Sequence, residues 1–224
     1  GLSLPANPNP PAEMSAVELL TSIVKGSPQR VTLLALGPLT NLAEALQAEP
    51  SLVDNLEMIY VMGGAVNVPG NVFLEVAGIA NKVAEWNIYC DPLAAKLAFH
   101  SGASITLVSL DATNQVPVTE AFYRSIESDH ETREADFVYQ VLVKIRPYLG
   151  SGHYYFWDPL AAAILTDESL TSLEQRSLTV VVEEGPEDGR TKPVDDGASI
   201  WVCKGVDQAR FESLFLDVLN GRVV

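Results

Sequence analysis

VTLLALGPLTN, residues 31–41, is the stretch that decides the fold. Its first six residues, VTLLAL, form a continuous run that is apolar except for Thr32, which predicts a strand buried on both faces of a parallel sheet. Two later runs repeat the pattern, EMIYVM at 57–62 and SITLVSL at 104–110. Helical segments separate the runs, so we predict an α/β fold with a mostly parallel, Rossmann-like sheet flanked by helices.

Other patterns place the loops and helix starts around this sheet. Asp91-Pro92 and Asp158-Pro159 each predict a helix that begins at proline with the aspartate as its cap. LTVVVEE (178–184) and ASIWVCKG (198–205) predict a late pair of strands. Residues 65–84 lack periodicity, and an irregular stretch of this length is usually functional or disordered. Ligands of such sheets bind at the carboxyl ends of the strands, so LGPLTN, MGGA and the following loop are the segments of interest.

The composition limits the classes of partner. With 224 residues and 47% hydrophobic content, the chain is long enough for a single α/β domain over residues 1–224. The formal net charge of −15 argues against nucleic-acid polymers and anionic membranes. No apolar run approaches the ~20 residues of a membrane helix, and no secretory signal is visible. Small neutral molecules and divalent cations remain as ligands.

The two cysteines, Cys90 and Cys203, stand in apolar strand-like contexts. Free buried thiols in a reducing compartment fit this pattern better than a disulfide framework does, which favours a cytoplasmic protein. The chain has no C-x-x-C or His-Cys cluster, which argues against zinc. It also lacks the motifs of acyl hydrolases, kinases and dinucleotide-binding enzymes.

A polar island at 85–87 offers groups that suit a sugar. Glu85, Asn87 and the nearby Asn71 can bind several hydroxyls at once, because amides both donate and accept hydrogen bonds. The alternative is that these residues only cap the helix at Asp91 and satisfy loop backbone.

The segment before residue 160 offers two further candidates, each with a structural alternative. Asp158 is suited to a hard cation, although an aspartate before proline is also an ordinary helix cap, and the local sequence favours the cap. Trp157 and its neighbours at 154–156 are suited to stacking on a flat ring, or to packing in the core. His153 is a candidate proton donor or simply a surface residue.

Five segments together resemble the inosine–uridine-type nucleoside hydrolase family. They are LALGPLTNLAEAL (34–46), MGGA (62–65), PGN (69–71), AEWNIYCDPLAA (84–95) and WDPLAAAIL (157–165). Their order and spacing match the family over nearly the whole chain. The resemblance implies calcium-dependent hydrolysis of the bond between ribose and base, in a protein that forms dimers or tetramers.

The resemblance implies roles for the metal-side residues. Asp158 matches an aspartate that ligates calcium, and Leu36 falls where a main-chain carbonyl is a ligand, so its side chain is not restricted. This match overturns the cap-only interpretation of Asp158. Trp157 stands where many relatives have a histidine, and tryptophan there resembles the branch that prefers purine nucleosides by stacking on the leaving base.

The sugar-side residues follow from the same resemblance. Glu85 and Asn87 match the pair that holds ribose hydroxyls, and Met62 matches a methionine that lines the sugar pocket. Asn71 matches an upstream asparagine with the same function, because PGN follows MGGA as in the family. Asn81 is the alternative, since the stretch up to Glu85 is longer than in the commonest family form.

One family feature has no counterpart in this sequence. The family's first strand ends in a D-x-D-x-x-x-D-D cluster that supplies most calcium ligands and the base that activates water. We therefore expect the chain to be the C-terminal two-thirds of the fold. Either it is a fragment, or a companion chain supplies the cluster, or it is a non-catalytic subunit. A related N-ribosyl substrate is a further alternative.

Overall fold

The computed structural model describes residues 7–75, 78–149 and 153–222. Its centre is a six-stranded sheet with the order β1-β2-β3-β6-β4-β5. The strands are β1 (Val31–Ala35), β2 (Leu56–Met62), β3 (Ile105–Val108), β4 (Thr171–Val180), β5 (Thr191–Pro193) and β6 (Ala198–Val206).

Helices cover both faces of the sheet, as predicted. They are α1 (Ala16–Gly26), α2 (Thr40–Ala48), α3 (Leu52–Asn55), α4 (Val72–Glu75), α5 (Trp86–Cys90), α6 (Pro92–Phe99), α7 (Leu110–Thr113), α8 (Glu120–Ser128), α9 (Arg133–Ile145), α10 (Trp157–Thr166) and α11 (Gln208–Leu219). One apolar cluster joins the sheet to α1, α2 and α6. A second joins the opposite face to α8, α9, α10 and α11.

The sheet is parallel over four strands and antiparallel at one end. β1 pairs with β2, β2 with β3, and β3 with β6, all in parallel. β4 runs antiparallel to both β6 and β5. The α/β prediction is therefore confirmed, with a mixed rather than uniform sheet. The strand predicted at 178–184 begins at Thr171 and ends at Val180, because its first half is polar and gives no apolar run.

The position of β1 departs from the prediction of a strand buried on both faces. No residue of β1 is fully buried, whereas all four residues of β3 are. β1 lies at the end of the sheet and, within the described residues, pairs only with β2. Leu36, which follows the strand, is 40% exposed. The burial prediction is wrong for β1 because an apolar run alone does not reveal whether a neighbour covers each side of the strand.

The two Asp-Pro segments form different helix starts. The Asp91 carboxylate caps α6 by accepting a hydrogen bond from Ala94 N at 3.0 Å, as predicted. α10 instead begins at Trp157, with Phe156 at the cap position and no side-chain cap bond. The cap predicted at Asp158 is therefore wrong, because the helix starts two residues earlier than predicted and leaves this carboxylate within its first turn.

Both cysteines are free thiols, but only one is buried. Cys203 is fully buried, whereas Cys90 is exposed, so the prediction of a buried thiol is wrong for Cys90. Cys90 is the last residue of the short helix α5, where its side chain reaches solvent. None of the helices in the described ranges combines the length and apolar character needed to cross a bilayer.

Candidate active site

Two adjoining cavities lie where the parallel strands end. The small cavity, of about 240 Å³, is lined by Leu36, Met62, Asn71, Glu85, Trp86, Asn87, Trp157 and Asp158. Seven of these eight residues are the site residues predicted from the sequence, and Trp86 is the addition. The structure thus brings the whole predicted set to one place, from segments up to 122 residues apart between Leu36 and Asp158.

Parallel strand ends explain this convergence. Leu36 directly follows β1, and Met62 is the last residue of β2, so both lie at the same edge of the sheet. The first turn of α10 brings Trp157 and Asp158 to this edge from the other side of the cavity. Because each strand is fixed by its neighbours, the positions of these main-chain atoms follow from the sheet.

Glu85 is the buried acidic residue of the small cavity, with 2% of its surface exposed. Its carboxylate accepts hydrogen bonds from Gly64 N (3.0 Å), Asn87 N (2.9 Å) and Ile88 N (3.1 Å). Burial raises the pKa of Glu85, and the nearby Asp158 charge adds to the rise, although the three N–H donors act in the opposite direction. Glu85 does cap a helix, as the alternative interpretation predicted, although the helix is α5. The same side chain also lines the small cavity.

Among the described residues, the side-chain amides of Asn71 and Asn87 each form hydrogen bonds to the protein through one end only. Asn87 Nδ2 donates to Met62 O at 3.1 Å and lies 3.4 Å from Met62 Sδ. Asn71 Oδ1 accepts from Trp86 N at 2.8 Å. Within the described part of the chain, Asn87 Oδ1 and Asn71 Nδ2 make no hydrogen bond, so one acceptor and one donor remain for a ligand.

Asn81 has a different environment from Asn71. It is buried, donates through Nδ2 to Asp188 O at 2.6 Å, and accepts through Oδ1 from Val83 N and Ala84 N. Its amide is therefore committed to holding the loop together, and Asn81 lines neither cavity. Of the two asparagines that the sequence left as alternatives, the structure places Asn71 in the small cavity.

Asp158 has a carboxylate without a hydrogen-bond partner among the described residues. Partial burial raises its pKa above the usual range for aspartate. Carboxylate and carbonyl oxygens are the ligands that calcium prefers, and Asp158 and Leu36, which both line the small cavity, carry one of each kind. The donor chemistry fits a hard cation. In the ranges that the structure describes, however, no cluster of three or more acidic, histidine or cysteine side chains could hold a metal, so further oxygens must complete any coordination shell.

Gly70 is required by a close backbone approach that the sequence did not reveal. Gly70 N donates to Lys82 O at 2.8 Å, and Asn71 N donates to Ala84 O at 3.0 Å. A Cβ atom on Gly70 would lie 1.9 Å from Ala84 O, closer than any real contact. The glycine of the PGN motif therefore lets the loop lie flat against the 82–84 segment and places Asn71 in the cavity.

A second contact that the sequence did not reveal joins two of the family-like motifs. Thr40 Oγ1 donates to Asp91 Oδ2 at 2.6 Å, while Asp91 Oδ1 caps α6. Thr40 is the first residue of α2 and closes the loop that carries Leu36. Asp91 directly follows α5, which carries Asn87. This hydrogen bond therefore holds two walls of the small cavity at a fixed separation.

The large cavity, of about 530 Å³, is rich in aromatic side chains. Its walls include Phe73, His153, Tyr155 and Trp157, and it shares Asn71 and Trp157 with the small cavity. The rings of Tyr155 and Trp157 have centroids 5.8 Å apart.

The aromatic cluster at 154–157 divides between the two interpretations that the sequence left open. Phe156 is buried and packs on Phe122 and Phe211, with ring centroids 4.8 and 5.3 Å away. Tyr154, Tyr155 and Trp157 line the large cavity instead. Phe156 therefore packs in the core, whereas Tyr154, Tyr155 and Trp157 are placed where they can stack on a flat ring of a ligand.

Comparisons with known proteins point to one protein family. The sequence model of a family described as inosine-uridine preferring nucleoside hydrolase matches residues 1–213. The pyrimidine-specific ribonucleoside hydrolase RihA of Shewanella woodyi is 36% identical over 184 residues, which cover 78% of this chain and 55% of that protein. The chain therefore spans about half the length of this curated relative.

Solved structures agree in fold. An inosine-uridine preferring nucleoside hydrolase from Bacillus anthracis superposes with a TM-score of 0.84 and 30% identity, covering 95% of this chain and 67% of that one. A purine-preferring ribonucleoside hydrolase from Gardnerella vaginalis gives a TM-score of 0.82 and 31% identity, covering 99% of this chain and 70% of that one.

Proposed function

This chain belongs to the inosine-uridine preferring nucleoside hydrolase family, and on that premise we propose that it hydrolyses the N-glycosidic bond of ribonucleosides to ribose and free base. The observation that carries the proposal is the small cavity. Its lining combines the acidic residues Glu85 and Asp158 with the partly free amides of Asn71 and Asn87 in a space suited to one sugar ring. Such a mixture of donors and acceptors matches the hydroxyls of ribose.

The proposed reaction uses the cavity residues to hold the ribose. Asn71 and Asn87 bind hydroxyls through their free amide ends, and Glu85 accepts a further hydroxyl hydrogen bond. Water attacks the anomeric carbon while the bond to the base nitrogen breaks, and the base leaves with a proton. The transition state resembles an oxocarbenium ion, as in other glycoside cleavage. Holding the sugar in one orientation lowers the entropic cost of reaching it.

We propose that calcium is the metal and that Asp158 and the Leu36 carbonyl hold it, because both are hard oxygen ligands in the small cavity. When bound, calcium would orient the ribose 2- and 3-hydroxyls and lower the pKa of the attacking water. The carboxylate that removes the proton from water is proposed to lie outside the eight residues that line this cavity. Glu85 already accepts three N–H bonds, and Asp158 is assigned to the metal.

The chain accordingly represents, in this proposal, the C-terminal two-thirds of a nucleoside hydrolase fold. The aspartate-rich strand would then come from another segment of the polypeptide or from a companion chain. The edge strand β1 supports this, because its apolar residues Leu33, Leu34 and Ala35 are only half-buried and its outer side has no partner strand among the described residues. Self-association into a homo-oligomer, a cytoplasmic location and a part in nucleoside salvage complete the proposal.

Purine preference is proposed from the large cavity. Relatives include both a pyrimidine-specific and a purine-preferring enzyme, so the family alone does not decide the base. Trp157 lines both cavities and Tyr155 lies beside it, which gives a flat aromatic surface next to the sugar site. A purine stacked there is more easily protonated, and protonation makes it a better leaving group.

The test is an assay of ribose and base release from inosine and uridine, with calcium or with a chelator. The protein is assayed alone and together with a polypeptide that carries the D-x-D-x-x-x-D-D strand. We expect calcium-dependent release in the complete assembly, faster from inosine. An assembly that binds calcium and inosine yet releases no ribose from either nucleoside would contradict the proposal.

A second candidate, a non-catalytic subunit of the same fold, is favoured by one observation. The small cavity holds only two carboxylates among the described residues that line it: Glu85 already accepts three N–H bonds, and the proposal assigns Asp158 to the metal. Calorimetric binding of inosine or ribose without any turnover, in the presence of every segment that copurifies with the chain, would select this alternative.

A further inference from the structure

Asp111 is a buried carboxylate that the proposed reaction does not use. Together with Glu85 it makes up the buried acidic residues of the described ranges, and it lies outside both cavities. Its Oδ1 accepts from Asn67 N and Asn67 Nδ2, both at 2.9 Å. Its Oδ2 accepts from Val66 N at 2.9 Å and Ser109 Oγ at 3.0 Å. Four donors thus compensate for the burial of its charge.

Three of these four donors belong to one loop. Val66 and Asn67 follow the end of β2, whereas Asp111 lies in α7 at the end of β3. A backbone bond from Leu110 N to Gly64 O at 2.8 Å reinforces the same junction. The start of the loop is therefore attached to the neighbouring strand end and does not rely on its own turn geometry.

The far end of the same loop carries Asn71. Gly70 and Asn71 are attached to the 82–84 segment by two backbone bonds, and Asn71 Oδ1 accepts from Trp86 N. Between the two attachment points lie only Val68 and Pro69. A change at residues 66–67 therefore reaches Asn71, one of the two side chains common to both cavities, over a very short stretch of chain.

The chemistry of the junction requires an acceptor without hydrogens. Two of the donors are main-chain N–H groups, which cannot reverse their direction. An asparagine at position 111 would place an NH₂ group against one of the two main-chain N–H donors, Val66 N or Asn67 N, and leave that donor unsatisfied. The carboxylate therefore dictates the course of the loop in a way that a neutral amide of the same shape does not.

We propose that Asp111 is a positioning residue, which fixes the 64–71 loop so that Asn71 holds the sugar at the boundary of the two cavities. The inference rests on the proposed nucleoside hydrolysis and adds to it a residue that contacts neither sugar nor base. It predicts that loss of the Asp111 bonds lowers kcat for nucleosides beyond what the accompanying loss of stability explains.

The primary test compares Asp111→Asn with Asn220→Ala in the complete assembly. Asn220 is also a buried polar side chain that braces a loop, through Glu131 N, Asp129 O and Leu216 O, and it lines neither cavity. We expect both variants to melt at a lower temperature. Only Asp111→Asn should lower kcat, by at least about tenfold, and speed hydrogen exchange at the Trp86 amide.

A milder pair keeps the test decisive if Asp111→Asn fails to fold. Asn67→Ala and Ser109→Ala each remove one donor to the same carboxylate, but only Asn67 belongs to the loop. We expect Asn67→Ala to lower kcat severalfold and Ser109→Ala to leave it within twofold of wild type. Equal effects of the two variants would overturn the proposal.

Hydrogen exchange separates this inference from the proposed function. If wild type releases no ribose, nucleoside hydrolysis fails, and faster Trp86 exchange in Asp111→Asn than in Asn220→Ala still supports the positioning. Unchanged Trp86 exchange overturns the positioning, whether or not the protein is active.

Discussion

Single side chains in the small cavity have distinct chemical tasks, and their hydrogen-bond partners show which atoms remain for a ligand. The Glu85 carboxylate accepts three hydrogen bonds from the main chain. Asn71 and Asn87 each make hydrogen bonds through one end of the side-chain amide, and the Asp158 carboxylate makes none within the described residues. This gradation matters because a group already bonded to the protein is fixed in direction, while an unbonded carboxylate next to a cavity is ready for a cation.

Replacement of Asp158 by alanine tests the metal role. Calcium affinity should fall by roughly 100-fold and turnover should fall with it, because a charged oxygen ligand is lost. Calcium titration calorimetry of wild type and variant in the complete assembly measures the effect. Asp167→Ala, at the other end of α10 and paired with Arg210, is the matched control. Equal calcium affinity of Asp158→Ala and wild type would exclude the ligand role.

Trp157→Ala tests stacking on the base. Removing one stacking ring typically costs about 1–3 kcal/mol, so kcat/KM for inosine should fall tenfold or more, and the value for uridine should fall less. Trp86→Ala is the control, since Trp86 lines only the small cavity. Equal losses on the two nucleosides would count against purine stacking.

The buried carboxyl of Glu85 predicts a pH-dependent stability. Its pKa is raised by burial, so the folded protein binds this proton more tightly than the unfolded chain does. The stabilising contribution is complete below the unfolded value, about 4.3, and is lost as the pH rises through the folded pKa. Urea unfolding of wild type and Glu85→Gln from pH 4.5 to 8 should show wild type losing stability relative to the variant. Parallel curves for the two proteins would contradict this. Glu57→Gln, at an exposed position, measures the effect of removing a carboxylate that is not buried.

Elements fix the site through their ends rather than through their middles. The loop after β2 is held by α7 on one side and by the 82–84 segment on the other. α2 and α6 are joined by the Thr40–Asp91 bond. The walls of the cavity are therefore set by contacts between loops and helix starts.

Gly70→Ala tests the closest of these approaches. The new Cβ would lie 1.9 Å from Ala84 O, so the loop must move away, and we expect a loss of about 3 kcal/mol in unfolding free energy. Chemical denaturation measures it. Gly26→Ala is the control, because nothing lies within 4 Å of a Cβ there, and helix propensity predicts a small gain in stability. A Gly70 variant as stable as wild type would show that the loop is not held in this way.

Local patterns predicted the elements that depend on local interactions. β2 and β3, the cap at Asp91 and the helices on both faces followed from apolar runs and cap residues. The exposure of β1 and the start of α10 at Trp157 did not follow, because they depend on neighbours distant in sequence. The gathering of the site residues was expected from strand ends and from resemblance, whereas Gly70, Thr40 and Asp111 act through contacts that no local pattern encodes.

The whole molecule carries a strongly acidic surface and one apolar sheet edge. The net charge of −15 disfavours nonspecific contacts between copies. β1 leaves one side without a partner strand in the described residues, and Leu33, Leu34 and Ala35 within it are only half-buried. Natural sheets usually protect such an edge with charge, proline or a bulge, so this edge is the place where another strand is expected to bind.

Thr32→Lys tests association through β1. Thr32 is exposed in this strand, and a lysine there adds a charge that opposes strand addition without disturbing the core. Light scattering should show a lower average mass for the variant at equal concentration, and weaker binding of any companion segment. Ser125→Lys, on the exposed face of α8, adds the same charge elsewhere and should change neither quantity. Unchanged mass and binding in Thr32→Lys would place the contact on another surface.

The division of the site into two compartments that meet at Asn71 and Trp157 also affects how the products depart after bond cleavage. Under the proposed function, each product rests in its own compartment and is retained by different walls. We therefore expect the two products to leave in random order. Accumulated sugar and accumulated base would then each delay the next turnover on its own account, and the two delays would combine.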